Sequence, residues 1–145
     1  MKIKHTRDTM SKTYLDALKI RNEVFVKGQG IAYSLEVGSP IDEAMAVHFV
    51  LYNKHGKACG TCRLLNKHDE TLLQRMAVLE GERKKGYASM LLTEAINFSR
   101  EHRIPNIVLH AQLSARGFYE KFDFEPIGEV FEEAGIKHIT MQLTL

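Results

Sequence analysis

Between Thr71 and Ala111 the hydrophobic period changes twice, and this constrains the fold more than any other feature of the chain. Thr71 to Leu79 reads as a strand that ends in a charged stretch, Glu80-Gly81-Glu82-Arg83-Lys84-Lys85-Gly86. A helical period then begins, with Ala88, Leu91, Leu92, Ala95 and Ser99 on one face and Glu94, Asn97 and Arg100 on the other. The helix stops before Ile104-Pro105, because the residue preceding proline is pushed out of the α region, and Ile107-Val108-Leu109-His110-Ala111 follows as a strand. A right-handed crossover makes the two strands of such a unit parallel.

The flanking segments supply antiparallel neighbours. Ala46 to Tyr52 and Lys57 to Leu65 favour strands, joined by an Asn53-Lys54-His55-Gly56 turn, and Lys67-His68-Asp69-Glu70 turns the second into Thr71 to Leu79, so three strands form a meander. Upstream, a short strand spans Lys2 to Arg7. Ser11 is positioned as the N-cap of a helix with an apolar stripe of Leu15, Leu18, Val24 and Phe25, which fades near Gly28 and Gly30. A polar stretch with Glu36, Gly38, Pro40 and Asp42 follows. Downstream, a short helix over about Ser114 to Phe122 precedes a final hairpin, Phe124 to Phe131 with His138 to Leu143. The fold class expected is α/β (α+β): a central twisted mixed sheet in the order β-α-α-β-β-β-α-β-α-β-β, with helices on both faces.

Composition excludes several function classes. With 145 residues, one domain (1–145) and one core are expected, and 44% apolar with 26% charged residues is far from a disordered composition. Twenty Lys+Arg against eighteen Asp+Glu leave a net charge of +2, which argues against nucleic acid or an anionic membrane as a general partner. No apolar run approaches a membrane span, and Met1 to Met10 lacks the apolar core of a signal peptide, so a cytoplasmic location is expected. Cys59 and Cys62 are spaced like a redox or metal pair. On a strand, however, residues three apart point to opposite faces, and His55 and His68 flank the strand too far apart to complete one tetrahedral site. Buried strand cysteines and no metal are expected.

The loop into the central helix carries the chemistry. Where a strand ends and a helix begins around a glycine, unpaired backbone N–H groups converge, and here Arg83, Lys84 and Lys85 stand beside them. That combination suits a pyrophosphate, with Gly86 offering close approach to the backbone.

Arg83-x-x-Gly86-x-Ala88 after a strand ending in Ala77-Val78 resembles the acyl-CoA-binding motif of the GNAT superfamily of N-acetyltransferases. Gln112-x-x-Ala115-x-x-Phe118-Tyr119-Glu120-Lys121-Phe122-Asp123-Phe124 resembles its second signature, with Gln112 in place of the usual Asn and Asp123 in place of Gly. Leu18-x-x-Arg21-x-x-Val24-Phe25-Val26 and Glu133-x-Gly135-Ile136-x-His138 further resemble the small bacterial ElaA/YjcF-like branch.

The resemblance implies a GNAT fold whose two parallel strands splay to admit the pantetheine arm as if it were another strand. It assigns Met76, Ala77 and Val78 to that strand. Arg83, Lys84, Lys85, Gly86, Tyr87 and Ala88 become the pyrophosphate loop, Gln112 and Ala115 further contacts to acetyl-CoA, and Tyr119 the general acid. The implied reaction is transfer of the acetyl group of acetyl-CoA, the acyl-donor cosubstrate, to a primary amine of a small molecule or peptide, with homodimerisation left open. A non-catalytic CoA-binding regulatory module is the alternative. The position where some members carry a basic glutamate holds Thr71 and Leu72, neither of which can act as a base. The remaining candidates are Glu36, Asp42, Glu43, His48, His110, Glu132, Glu133 and His138, with solvent as a further route for the proton.

Overall fold

The computed structural model describes residues 1–145. Its strands are β1 (Lys2–Thr6), β2 (Val47–Tyr52), β3 (Ala58–Lys67), β4 (Glu70–Val78), β5 (Asn106–Gln112), β6 (Glu125–Glu133) and β7 (Ile136–Thr144). The α-helices are α1 (Lys12–Arg21), α2 (Tyr33–Val37), α3 (Pro40–Met45), α4 (Tyr87–Glu101) and α5 (Arg116–Glu120). The strands form one sheet in the order β1-β2-β3-β4-β5-β7-β6, antiparallel except for β4 beside β5. No helix is long and apolar enough to cross a membrane.

Helix α4 covers one face because its apolar residues recur at helical spacing. Leu91, Leu92 and Ala95 are fully buried against Phe49, Leu73, Leu109 and Met141 in the larger of two apolar clusters. Each fully buried leucine contributes about 1.5–3 kcal/mol. Helix α1 covers the other face through Ala17 and Ile20, which pack with Val24, Phe25, Val50, Tyr52 and Ala77. Ser11 caps it as expected, its Oγ accepting from the Tyr14 N–H at 3.2 Å. The expected apolar stripe holds at Val24 and Phe25, which are buried, and is corrected within α1: Leu15 is exposed and Leu18 half-buried, while Tyr14, Asp16, Ala17, Ile20 and Arg21 are buried. A helix buries whichever face tertiary partners can satisfy, and here partners exist for the Asp16 and Arg21 charges. Asp16 accepts from the Tyr52 hydroxyl at 2.7 Å, and Arg21 meets carboxylates described below.

The chain continues from α1 into a π-helical turn, Asn22–Gly28, before the polar stretch winds into the short helices α2 and α3. The helix expected at Ser114 to Phe122 is shorter, a 3-10 turn at Leu113–Ala115 leading into α5.

Two β-bulges alter the alternation of the central strands. Leu51 pairs with Gly60 but Tyr52 with Ala58, so Cys59 is an extra residue in β3. Thr61 pairs with Ala77 but Arg63 with Gln74, which leaves Arg75 and Met76 together opposite Cys62. The first bulge corrects the expectation that the two cysteines face opposite ways, because the extra residue resets the phase and both thiols join the α4-side cluster. Burial raises the pKa of both thiols, so neither is a ready thiolate. Replacing both by alanine or serine is expected to leave any activity within about threefold of wild type wherever the protein folds, because neither buried thiol is a ready nucleophile. Stoichiometric zinc or a trapped acyl-cysteine would contradict this.

Candidate active site

The parallel pair β4–β5 is held together only at Leu72 with Val108 and Leu73 with Leu109. Beyond those residues the strands diverge. A cavity of about 800 Å³ opens between them and runs from the N-terminus of α4 to α5, the π-helical turn and the β6–β7 hairpin. A smaller hollow of about 470 Å³ lies beside β1 between Lys2, Lys4, Lys12 and Lys54, remote from this opening.

At one end of the large cavity, Gly86 adopts φ +80° and turns the chain from the loop into α4. A Cβ at this position would meet nothing within 4 Å, so the glycine answers the left-handed conformation and not a lack of space in the protein itself. The first amide of the helix region with a backbone acceptor is that of Met90, which donates to the Gly86 carbonyl at 3.1 Å. The N–H groups of Lys84 to Ser89 have no backbone partner, and Lys84, Gly86, Tyr87, Ala88 and Ser89 line the cavity. Such an arrangement can hold an anion, since it combines several open donors, the positive end of a 15-residue helix and adjacent basic side chains. Arg83 also lines it, with Nε held by the Val78 carbonyl at 3.2 Å. Lys85 turns away to Glu82 at 2.8 Å and does not line the cavity.

Met76, Ala77 and Val78 form the β4 wall, and Gln112 and Ala115 lie on the β5 side. Gln112 Nε2 donates to Gln29 Oε1 at 3.1 Å, linking the end of β5 to the π-helical turn across the cavity rim. Tyr119 is buried on α5, among Phe118, Phe124 and the α4-side cluster, and it lines the cavity. Desolvation raises its pKa well above the ordinary phenol value, so the hydroxyl keeps its proton at any working pH.

Of the candidate bases, Glu36, His110, Glu133 and His138 line the cavity, whereas Asp42, Glu43, His48 and Glu132 do not. Glu133 bridges two imidazoles: Oε1 is 3.3 Å from His110 Nδ1, and Oε2 is 3.6 Å from His138 Nε2. Phe131 lies edge-on to the His110 ring and stacks on that of His138. The hydrogen bond to Glu133 raises the His110 pKa, and the same bond lowers that of Glu133.

Glu36 belongs instead to a buried ionic network that sequence patterning did not reveal. Arg21 Nε lies 2.6 Å from Glu36 Oε1, and Arg21 Nη1 lies 2.7 Å from Glu43 Oε1 without hydrogen-bond alignment. Glu43 also receives the Tyr14 hydroxyl at 2.9 Å and Arg63 Nη1, while Arg63 Nε and Nη2 donate to Gln74 Oε1. Arg75 joins the network from the β4 bulge, with Nε 3.3 Å from Glu36 Oε1, and lines the cavity. Its backbone, at φ +59°, is the signal that reveals it. A left-handed non-glycine residue inside a strand is strained by about 1–3 kcal/mol, and such strain concentrates at functional sites.

Residues 28–145 match the family described as Acetyltransferase (GNAT) domain. The chain is 30% identical over 127 residues to a Bacillus subtilis protein named uncharacterized N-acetyltransferase YjcF, covering 87% of this chain and 89% of that one. It is 28% identical over 141 residues to Protein ElaA of Escherichia coli, covering 94% and 90%. The crystal structure of ElaA superposes with a TM-score of 0.87 at 24% identity, covering 98% of this chain and 99% of that chain. An aminoglycoside 6'-N-acetyltransferase solved with coenzyme A superposes with a TM-score of 0.74 at 14% identity, covering 99% and 97%. Since the family match runs from the end of the π-helical turn through the last strand, the chain belongs to the GNAT acetyltransferases and is an acyltransferase enzyme.

Proposed function

We propose that the protein transfers the acetyl group of acetyl-CoA to a primary amine by direct attack within a ternary complex. The observation that carries this reading is one continuous cavity joining the open amides before α4, the unpaired length of β4 and the Tyr119 ring. The pyrophosphate rests on the N–H groups of Lys84 to Ser89, with Arg83 and Lys84 beside it. The pantetheine arm pairs with the free edge of Met76, Ala77 and Val78. Gln112 exchanges its bond to Gln29 for a contact to the arm, and Ala115 packs beside it.

The donor supplies an activated thioester acyl group; the protein's residues position it and handle the protons. The amine nitrogen forms a bond to the acyl carbon as the carbon–sulfur bond breaks. Tyr119 donates a hydrogen bond to the departing sulfur, which as a free thiol would titrate near ~8.5 and so leaves as a thiolate stabilised by that bond. The amine proton passes to cavity water and to the His110–Glu133 pair. Incubating the protein with acetyl-CoA and amino acids, polyamines, aminoglycosides or peptides tests the proposal through release of free thiol. Amine-dependent release supports it, whereas CoA binding with no release in any arm makes the protein a CoA-binding module.

A further inference from the structure

Resting on the transferase reading above, we infer that the amine acceptor carries a carboxylate, which Arg75 binds at the cavity wall.

The charges behind that wall do not cancel. Arg21, Arg63 and Arg75 bring three guanidinium groups to the two carboxylates of the buried network, Glu36 and Glu43, one positive charge in excess, and the next carboxylate acting on Arg75 is Glu133, on the same cavity and already shared with His110. Gln74 gives Arg63 a neutral acceptor and no charge. His48 stands next to Glu43 and adds nothing, since burial holds its imidazole neutral. An excess charge on a partly desolvated guanidinium favours a ligand that pairs with it.

Only Arg75 can present that charge to a ligand. The side chains of Arg21 and Arg63 are 1% and 5% exposed, whereas that of Arg75 is 25% exposed and lines the cavity. Its Nε and Nη2 are bonded to the Glu36 carbonyl at 3.2 and 3.0 Å, which fixes the guanidinium plane. Its Nη1 has no hydrogen bond within the protein and is not fully buried. The β4 bulge and the left-handed φ of Arg75 put this donor just past Leu73, the last residue of β4 that pairs with β5. The CoA pyrophosphate is assigned to the α4 end, so it does not answer this charge.

His110 follows Leu109, the partner of Leu73, and so begins the opposite arm of the same opening, where it meets Glu133. The opening therefore sets a guanidinium on the β4 arm against a carboxylate–imidazole pair on the β5 side. A molecule bearing both a carboxylate and an amine, as an α-amino acid does, matches this polarity, and a polyamine does not. The carboxylate accepts a charge-assisted hydrogen bond from Nη1, and the amine faces Glu133 and His110.

Matched acceptors test the inference without a mutation: phenylalanine against phenethylamine, and lysine against cadaverine, each with acetyl-CoA. In at least one pair kcat/KM is expected to be about 10–100-fold higher for the amino acid, and Arg75→Gln is expected to reduce that ratio toward one. Arg75→Lys, which keeps the charge, is expected to retain part of the preference. Preferences below threefold in every pair, or a preference for the decarboxylated amines, would overturn the inference while leaving the transferase reading intact. If no amine releases thiol, the transferase reading fails separately. Calorimetry of the same pairs on the CoA-saturated protein then decides, with tighter binding of the amino acids supporting the carboxylate site and equal binding overturning it.

Discussion

Glutamate in place of Gly86 is expected to abolish CoA binding in a protein that still folds. The glycine sits at φ +80° where the loop enters α4, with open space where a Cβ would project. The fold therefore loses only the backbone penalty of a left-handed non-glycine residue, about 1–2 kcal/mol. The ligand loses much more, because the new carboxylate stands among the amides of Lys84 to Ser89 where a pyrophosphate is to be held. Two like charges ~4 Å apart repel by about 4 kcal/mol at the effective dielectric of a protein surface, roughly a thousandfold in affinity for each pair. Gly86→Ala separates the contributions, since it keeps the backbone strain and omits the charge. Calorimetric titration with CoA measures both variants; unchanged affinity in folded Gly86→Glu would falsify this placement of the pyrophosphate.

Tyr119→Phe carries the second large effect. The ring packs against Phe118 and Phe124 and belongs to the α4-side cluster, and phenylalanine preserves those contacts while removing the hydroxyl. Burial keeps that hydroxyl protonated, so the donor is present throughout the working pH range. Losing it is expected to lower kcat by ~10²–10⁴ while CoA affinity changes little, the pattern of an interaction made mainly as the thiolate leaves. A fall of less than threefold, measured where chemistry limits the rate, would return Tyr119 to a packing role and mean that the sulfur departs unaided.

The two effects differ in how they were legible. The turn at Gly86 and the helix after it rest on local rules, a strand ending in charge, a glycine, and an apolar 3.6-residue period, so the sequence locates them to within a residue or two. The meander, the parallel β4–β5 pair and the final hairpin follow from the same local alternation and from short turns. The role proposed for Tyr119 rests on resemblance, since a tyrosine on a short helix has no local pattern that distinguishes catalysis from packing.

What patterning missed is non-local. Arg21, Glu36, Glu43, Arg63 and Arg75 are separated along the chain, and each reads alone as a solvated charge. The π-helical turn and the short α2 and α3 helices fold back over β3 and β4, and only then do these residues become one buried network. Likewise, period-two alternation places Cys59 and Cys62 on opposite faces until a bulge, visible only in the pairing of β2 with β3, resets the phase. Local spacing therefore determined the elements, their order and the charged loop into α4, because backbone propensity and apolar periodicity act over a few residues. Tertiary structure alone decided which charges are paired, which guanidinium is left facing the cavity and which histidines meet Glu133, because burial and Coulomb energies depend on distances in space that the chain sets only once it has closed on itself.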